Sequence, residues 1–110
     1  MFKKSERLNR EDFSRFFKIG KRYNNDNLTI VYNQHPSLHV AVVVGKKVSK
    51  HAVRRNKIKR RIYARLQDVF KVNNQTGVFI VVVKPGFNSL TRAAADEFLV
   101  ESIAPITKSA

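Results

Sequence analysis

The run from Gly45 to Arg65 holds Lys46, Lys47, Lys50, Arg54, Arg55, Lys57, Lys59, Arg60, Arg61 and Arg65, and not one acid. The nearest carboxylates in the chain are Asp26 and Asp68. Positive charge this dense repels itself, and a polyanion such as nucleic-acid phosphate is its usual neutraliser. The same run also has a helical period. Ile58, Ile62, Leu66 and Val69 recur at steps of three and four, which predicts a helix over 54–70 with one face on a core. Arg54, Lys57, Arg61 and Arg65 form a ridge on another side, with Arg60 beside it. Arg55 falls in the apolar arc and Lys59 at its edge. A first turn that overhangs the core would let both reach a different part of the partner. A solvated helix face or a disordered nuclear-localisation-like run are the bland alternatives. An acid-free ridge on an amphipathic helix goes beyond either.

Composition narrows the partners. The 110 residues suit one domain. A hydrophobic fraction of 43% supports a modest core. A net charge of +14 points to nucleic acid before anionic membrane or acidic protein. Without cysteine there is no disulfide framework and no thiolate metal site. No apolar run approaches membrane-spanning length, and the N-terminus has no apolar signal region, so an intracellular soluble protein is expected.

Along the chain, residues 1–8 read as a basic arm that packs little. Asn9 is a candidate N-cap ahead of Glu11 and Asp12, and a helix over about 10–19 ends at Gly20. Its Phe13, Phe16 and Phe17 suit a core, yet such rings also stack unpaired bases. Residues 21–27 read as turn. Leu28–Tyr32 alternates as a strand with one polar face, and Leu38–Val44 reads as a strand buried on both. With a short link, the pair reads as an antiparallel hairpin. The basic helix follows, then the most apolar strand, Val78–Val83. Ser89 or Thr91 is placed to cap a last helix reaching about Ile103, and residues 104–110 read as a polar tail. The order is α-β-β-α-β-α, with room for a short extra strand. The fold class is α+β, a single RNA-binding domain over 1–110 with helices on a small central sheet. Strand 38–44, the basic helix and strand 77–84 form a β-α-β unit, right-handed by general preference.

No self-contained active site is legible. The acids sit where helix ends or solvated faces want them, and no strand-borne pair suggests a two-metal nuclease. His35, His39 and His51 have neither metal-ligand spacing nor a triad partner. Lys46-Lys47 after Gly45 lacks the glycines of a phosphate loop.

Gly45-Lys46-Lys47-Val48 followed by Ala52-Val53-Arg54-Arg55-Asn56-Lys57-Ile58-Lys59-Arg60 resembles the signature of the bacterial ribonuclease P protein family. Leu8–Phe17 is similar to the family's first helix, and Leu28–Tyr32 and Val78–Lys84 to two of its strands. At Lys57 the family more often has Arg; Lys keeps the charge and loses bidentate geometry. Arg54 and Arg61 stand where relatives are often apolar or variable.

The resemblance implies a fold like the second domain of a ribosomal small-subunit protein, with a left-handed β-α-β crossover, and it is followed here over the right-handed default. It implies a catalytic RNA as partner and removal of the 5′ leader from precursor tRNA, in the cytoplasm. Mg2+ would be held mainly by the RNA, and protein oligomerisation would not be required. Lys46, Lys47, Arg54, Arg55, Asn56, Lys57, Lys59, Arg60 and Arg61 are then the expected contacts to the catalytic RNA. Phe13, Phe17 and Tyr32 are the expected lining of a cleft for the leader, with plain core packing as the competing reading. The alternative function is a ribosomal or other structural RNA-binding protein. An independent metal nuclease is disfavoured by the scattered acids.

Overall fold

The computed structural model describes residues 7–109, so most of the arm read over 1–8 lies outside the described residues. Helix α1 (Arg10–Ile19) is followed by strands β1 (Lys21–Asn24), β2 (Leu28–Asn33) and β3 (Leu38–Val44). Then come helix α2 (Ala52–Val72), strand β4 (Gly77–Val83), a short 3-10 helix (Pro85–Ser89) and helix α3 (Arg92–Ser109). The strands form one mixed sheet in the order β1-β2-β4-β3.

The sheet order overturns the expected hairpin. β2 and β3 are not neighbours: β4 lies between them, antiparallel to β2 and parallel to β3. The reason is burial. Val78, Phe79, Ile80 and Val81 of β4 are wholly buried, and a strand apolar on both faces belongs at the centre rather than at an edge. The parallel β3-α2-β4 unit is as expected. The true hairpin is β1–β2, where residues 21–24 were read as turn. Its turn is closed by Asn25, whose side-chain oxygen accepts from the Asn27 and Leu28 N–H groups (3.1 and 2.8 Å). β1 is a polar edge strand with only Tyr23 half-buried, so it carries no apolar alternation to betray it.

The two faces of the sheet carry separate cores. On one, Leu28, Ile30, Val40, Val42, Phe79, Val81 and Val83 pack against Ile58, Ile62, Leu66 and Phe70 of α2 and Leu99, Ile103 and Ile106 of α3. On the other, Val31, Ala41, Val78 and Ile80 lie under Phe13, Phe16 and Phe17 of α1 and Leu8. The polar face expected for β2 is thus covered at Val31. Asn9 caps α1 as expected, accepting from the Asp12 N–H at 2.8 Å. Gly20 ends the helix for lack of space rather than through a left-handed turn. Its φ is −72°, and a Cβ there would stand 2.3 Å from Val31 and 2.6 Å from Asn33.

Two end segments pack more than their sequence suggests. Arg7 makes an isolated parallel bridge to Val40, and Leu8 joins the α1-side core. That contact covers part of the free edge of β3, which would otherwise offer its backbone to another strand. The expected polar tail is mostly helix: α3, capped by Thr91, runs through Pro105 to Ser109. Proline costs a helix hydrogen bond. Here it sits on an exposed position while Ile103 and Ile106 are fully buried, and their burial keeps the helix going.

The edge of β3 is closed further by Tyr63 of α2, whose hydroxyl oxygen accepts from the Val42 N–H at 3.1 Å. Burial raises the Tyr63 pKa above its ordinary 10.0, against smaller opposing effects of that hydrogen bond and of Arg7. The folded state therefore keeps a proton that the unfolded chain releases, and stability falls as pH rises past that ordinary value. Tyr63→Phe should cost about 1–3 kcal/mol at about pH 8, because the Val42 N–H loses its acceptor. In urea titrations this difference should shrink at about pH 11, where only the parent protein carries the penalty.

Candidate nucleic-acid interface

Helix α2 positions its cations by burying the opposite side. Ile58, Ile62, Tyr63, Leu66 and Phe70 are inside, while Arg54, Asn56, Lys57, Lys59, Arg60 and Arg65 are exposed. Among the described residues the only ion pair is Arg15 with Asp12 on α1, at 3.1 Å. Among the described residues no carboxylate neutralises a cation of α2. Within a Debye length of about 8 Å, the fields of neighbouring cations add.

The helix divides these side chains between two flanks. Asn56, Lys59 and Arg60 stand with Tyr63 beside Arg7 and Leu8 and line an open cleft of about 410 Å³. Arg54, Lys57, Arg61 and Arg65 lie roughly 150° further around the axis, and Arg54 and Arg61 border a notch against α3. Lys46 and Lys47 are exposed in the loop before α2. The nine residues expected to form one RNA-binding set therefore do not form one surface.

Arg55 has a different task from its neighbours. Its Nη1 donates to the backbone oxygens of Ser49 and Lys50, both at 2.9 Å. It folds back over the loop rather than reaching outward, which explains an arginine in the apolar arc: the helix there has passed the end of the core. Arg54 is also anchored, donating through Nε and Nη2 to Asn88 Oδ1 (3.2 and 3.1 Å).

The second site lies on the α1 face of the sheet. The Phe13 and Phe17 rings are stacked, with centroids 5.5 Å apart and planes at 17°. The Arg22 guanidinium sits 4.3 Å above the Phe17 ring, and its Nη2 donates to the Phe17 carbonyl at 3.0 Å. The result is a ladder of two rings, half-buried over Val31, Ala41, Val78 and Ile80, and one exposed cation. Asn24, Thr29, Val82 and Val43 make the neighbouring row of the same face. Stacked rings under a guanidinium bind bases through their π-faces and backbone through charge.

Tyr32 is not part of this cleft. It pairs in register with Phe79, its ring 5.0 Å from that ring, and packs on the core beneath α2. Side chains alternate across a strand, so Val31 holds the place on the α1 face that Tyr32 was expected to fill. Sequence reasoning also missed Arg22 and Arg7. The signal for Arg22 was present: Lys21–Asn24, an Asn-rich turn and a following strand make a hairpin pattern, and Arg22 alternates onto the Val31 face.

A sequence model of the family described as ribonuclease P matches residues 2–106. The chain belongs to the ribonuclease P protein family. It is 32% identical over 84 residues to the ribonuclease P protein component of Microcystis aeruginosa, covering 70% of this chain and 69% of the relative. To that of Chromobacterium violaceum it is 36% identical over 100 residues, covering 86% and 79%. Its fold is similar to that of a Staphylococcus aureus RNase P protein mutant, with a TM-score of 0.80 at 24% identity and coverage of 94% and 89%. The RNase P protein from Thermotoga maritima follows at 0.69 and 23%, with coverage of 96% and 97%. Family membership makes the chain an RNA-binding protein component of a ribonucleoprotein endoribonuclease in tRNA 5′ processing, with catalysis carried by RNA. It decides between the two functional readings that the sequence left open.

The outward-facing Lys59 and the loop-bracing Arg55 separate experimentally. Lys59→Ala should weaken binding to the family's RNA subunit and reduce the slope of log K against log salt by about 1, with an unchanged melting temperature. Arg55→Ala should also lower the melting temperature, because it frees the Ser49 and Lys50 carbonyls. Filter binding across a salt series, paired with thermal melts, checks both.

Proposed function

We propose that the ladder of Phe13, Phe17 and Arg22 holds the unpaired 5′ leader of precursor tRNA while the Asn56–Lys59–Arg60 flank of α2 contacts the catalytic RNA. The observation that carries this reading is continuity. Leu8 lines the cationic cleft with Asn56, Lys59 and Arg60, and it also packs, as Phe13 and Phe17 do, on the core of Val31, Ala41, Val78 and Ile80. One molecule would thus grip a folded RNA by its backbone and, next to it, a single strand by its bases. Asn56 adds a directional donor and acceptor among point charges.

The described residues at the two candidate surfaces offer no carboxylate cluster for a resident Mg2+. Both candidate surfaces are lined by cations, and among the described residues no three His, Cys, Asp or Glu side chains stand together. Mg2+ needs oxygen ligands, so the metal chemistry is assigned to RNA. The protein's part is binding, orientation and charge neutralisation. No described helix is long and apolar enough to cross a membrane.

Two measurements test the reading. Added to the RNA subunit, the protein should lower the magnesium concentration needed for cleavage of precursor tRNA, because its cations replace counterions; no change at any magnesium concentration refutes it. Phe17→Ala and Arg22→Ala should each weaken holoenzyme binding of precursor by roughly five- to a hundredfold, or about 1–3 kcal/mol for a lost stacking partner. Binding of mature tRNA, which has no leader, should stay the same. Equal losses for both RNAs would leave the two side chains with a packing role only.

A further inference from the structure

We infer that the notch between α2 and α3 is a second, separate phosphate site, which holds one backbone phosphate of the RNA partner. This inference rests on the RNA-cofactor reading above but uses the opposite flank of α2. The notch is walled by Arg54 and Arg61 of α2, Arg92 of α3, and Asn88 of the 3-10 helix, over a floor that includes Ile58 and Phe87.

Three observations point to an anion. First, three guanidiniums from two helices converge here, and none pairs with a carboxylate among the described residues. Arg61 is half-buried and has no described hydrogen-bond partner in the protein, so its guanidinium is available to a ligand. Second, the site is preorganised. Asn88 Nδ2 donates to the Val48 carbonyl at 3.2 Å while its Oδ1 holds Arg54, so one guanidinium is fixed before any ligand arrives. Third, the size selects the ligand. The cavity is about 30 Å³, which leaves no room for a base. Asp96 also lines the notch and opposes an anion, which makes it a useful probe.

The partner is RNA backbone rather than a small metabolite, because the notch opens onto a cationic flank. Lys57 and Arg65 continue the line of Arg54 and Arg61 along the helix, with Asp68 as the acid of the same stretch. The Asn56–Lys59–Arg60 flank faces away from this one, so a single RNA strand does not touch both. The helix is then a wedge between two RNA segments.

The test uses the full chain and the reconstituted holoenzyme. Inorganic phosphate titrated into the protein should shift the Nε–H resonances of Arg61 and Arg92 in NMR spectra, and Asp96→Asn should tighten that binding about two- to threefold. Arg61→Gln with Arg92→Gln should abolish it and reduce the salt slope for RNA-subunit binding by about 1–2. Their loss should add to that of Lys59→Gln with Arg60→Gln, as expected for independent contacts. Precursor-over-mature discrimination should not change. If Lys59→Gln with Arg60→Gln weakens RNA binding and the notch variants do not, the second site is refuted and the RNA-cofactor reading stands. If neither pair weakens it, both fall. Asp96→Asn, which removes no cation, keeps the outcome decisive should the arginine variants unfold: unchanged or weaker phosphate binding refutes the site.

Discussion

Four buried side chains hold the basic helix in place. Ile58, Ile62, Leu66 and Phe70 of α2 are nearly or fully inaccessible, and each contributes roughly 1.5–3 kcal/mol of burial. Against this stands repulsion among exposed cations, on the order of 1 kcal/mol or less per close pair in water, and less with salt. Burial wins without help from acids. The helix can therefore present bare charge, and binding rather than folding becomes the event that neutralises it. The rest of the molecule serves this arrangement: β4 takes the centre of the sheet, and α2 and α3 share the face beneath which it lies.

The opposite face of the sheet solves a different problem. A four-stranded sheet with apolar residues on both faces needs cover on both, and α1 provides only part of it. What remains beside α1 is a surface of stacked rings, a guanidinium and a half-exposed row of small polar and aliphatic side chains. The partial cover that leaves Phe13 and Phe17 half-buried is also what makes them usable. Core packing is thus compatible with the ligand contact proposed for these rings.

Arginines on α2 divide by what holds them. Arg55 caps two loop carbonyls and Arg54 is fixed by Asn88, while Arg60 stands exposed. Charge alone does not separate these tasks, because all three are arginines. The partner within reach does, and that is a property of the loop and of the 3-10 helix rather than of α2 itself.

The sequence by itself determined the elements whose signal is local. The cap at Asn9, the span of α1, the buried face of α2 and the strand character of β2, β3 and β4 follow from periodicity and side-chain chemistry within a few residues. So does the bare charge of the first half of α2, since no acid occurs between Asp26 and Asp68. Only the tertiary structure decided which strands are neighbours, because pairing of β4 between β2 and β3 depends on burial of residues far apart in sequence. It alone placed Tyr32 under α2 and Arg22 above Phe17, since a strand's period of two makes the choice of face turn on a single residue of register. And it alone showed α2 to have two cationic flanks, because a helical wheel records angles but not which neighbour each angle meets.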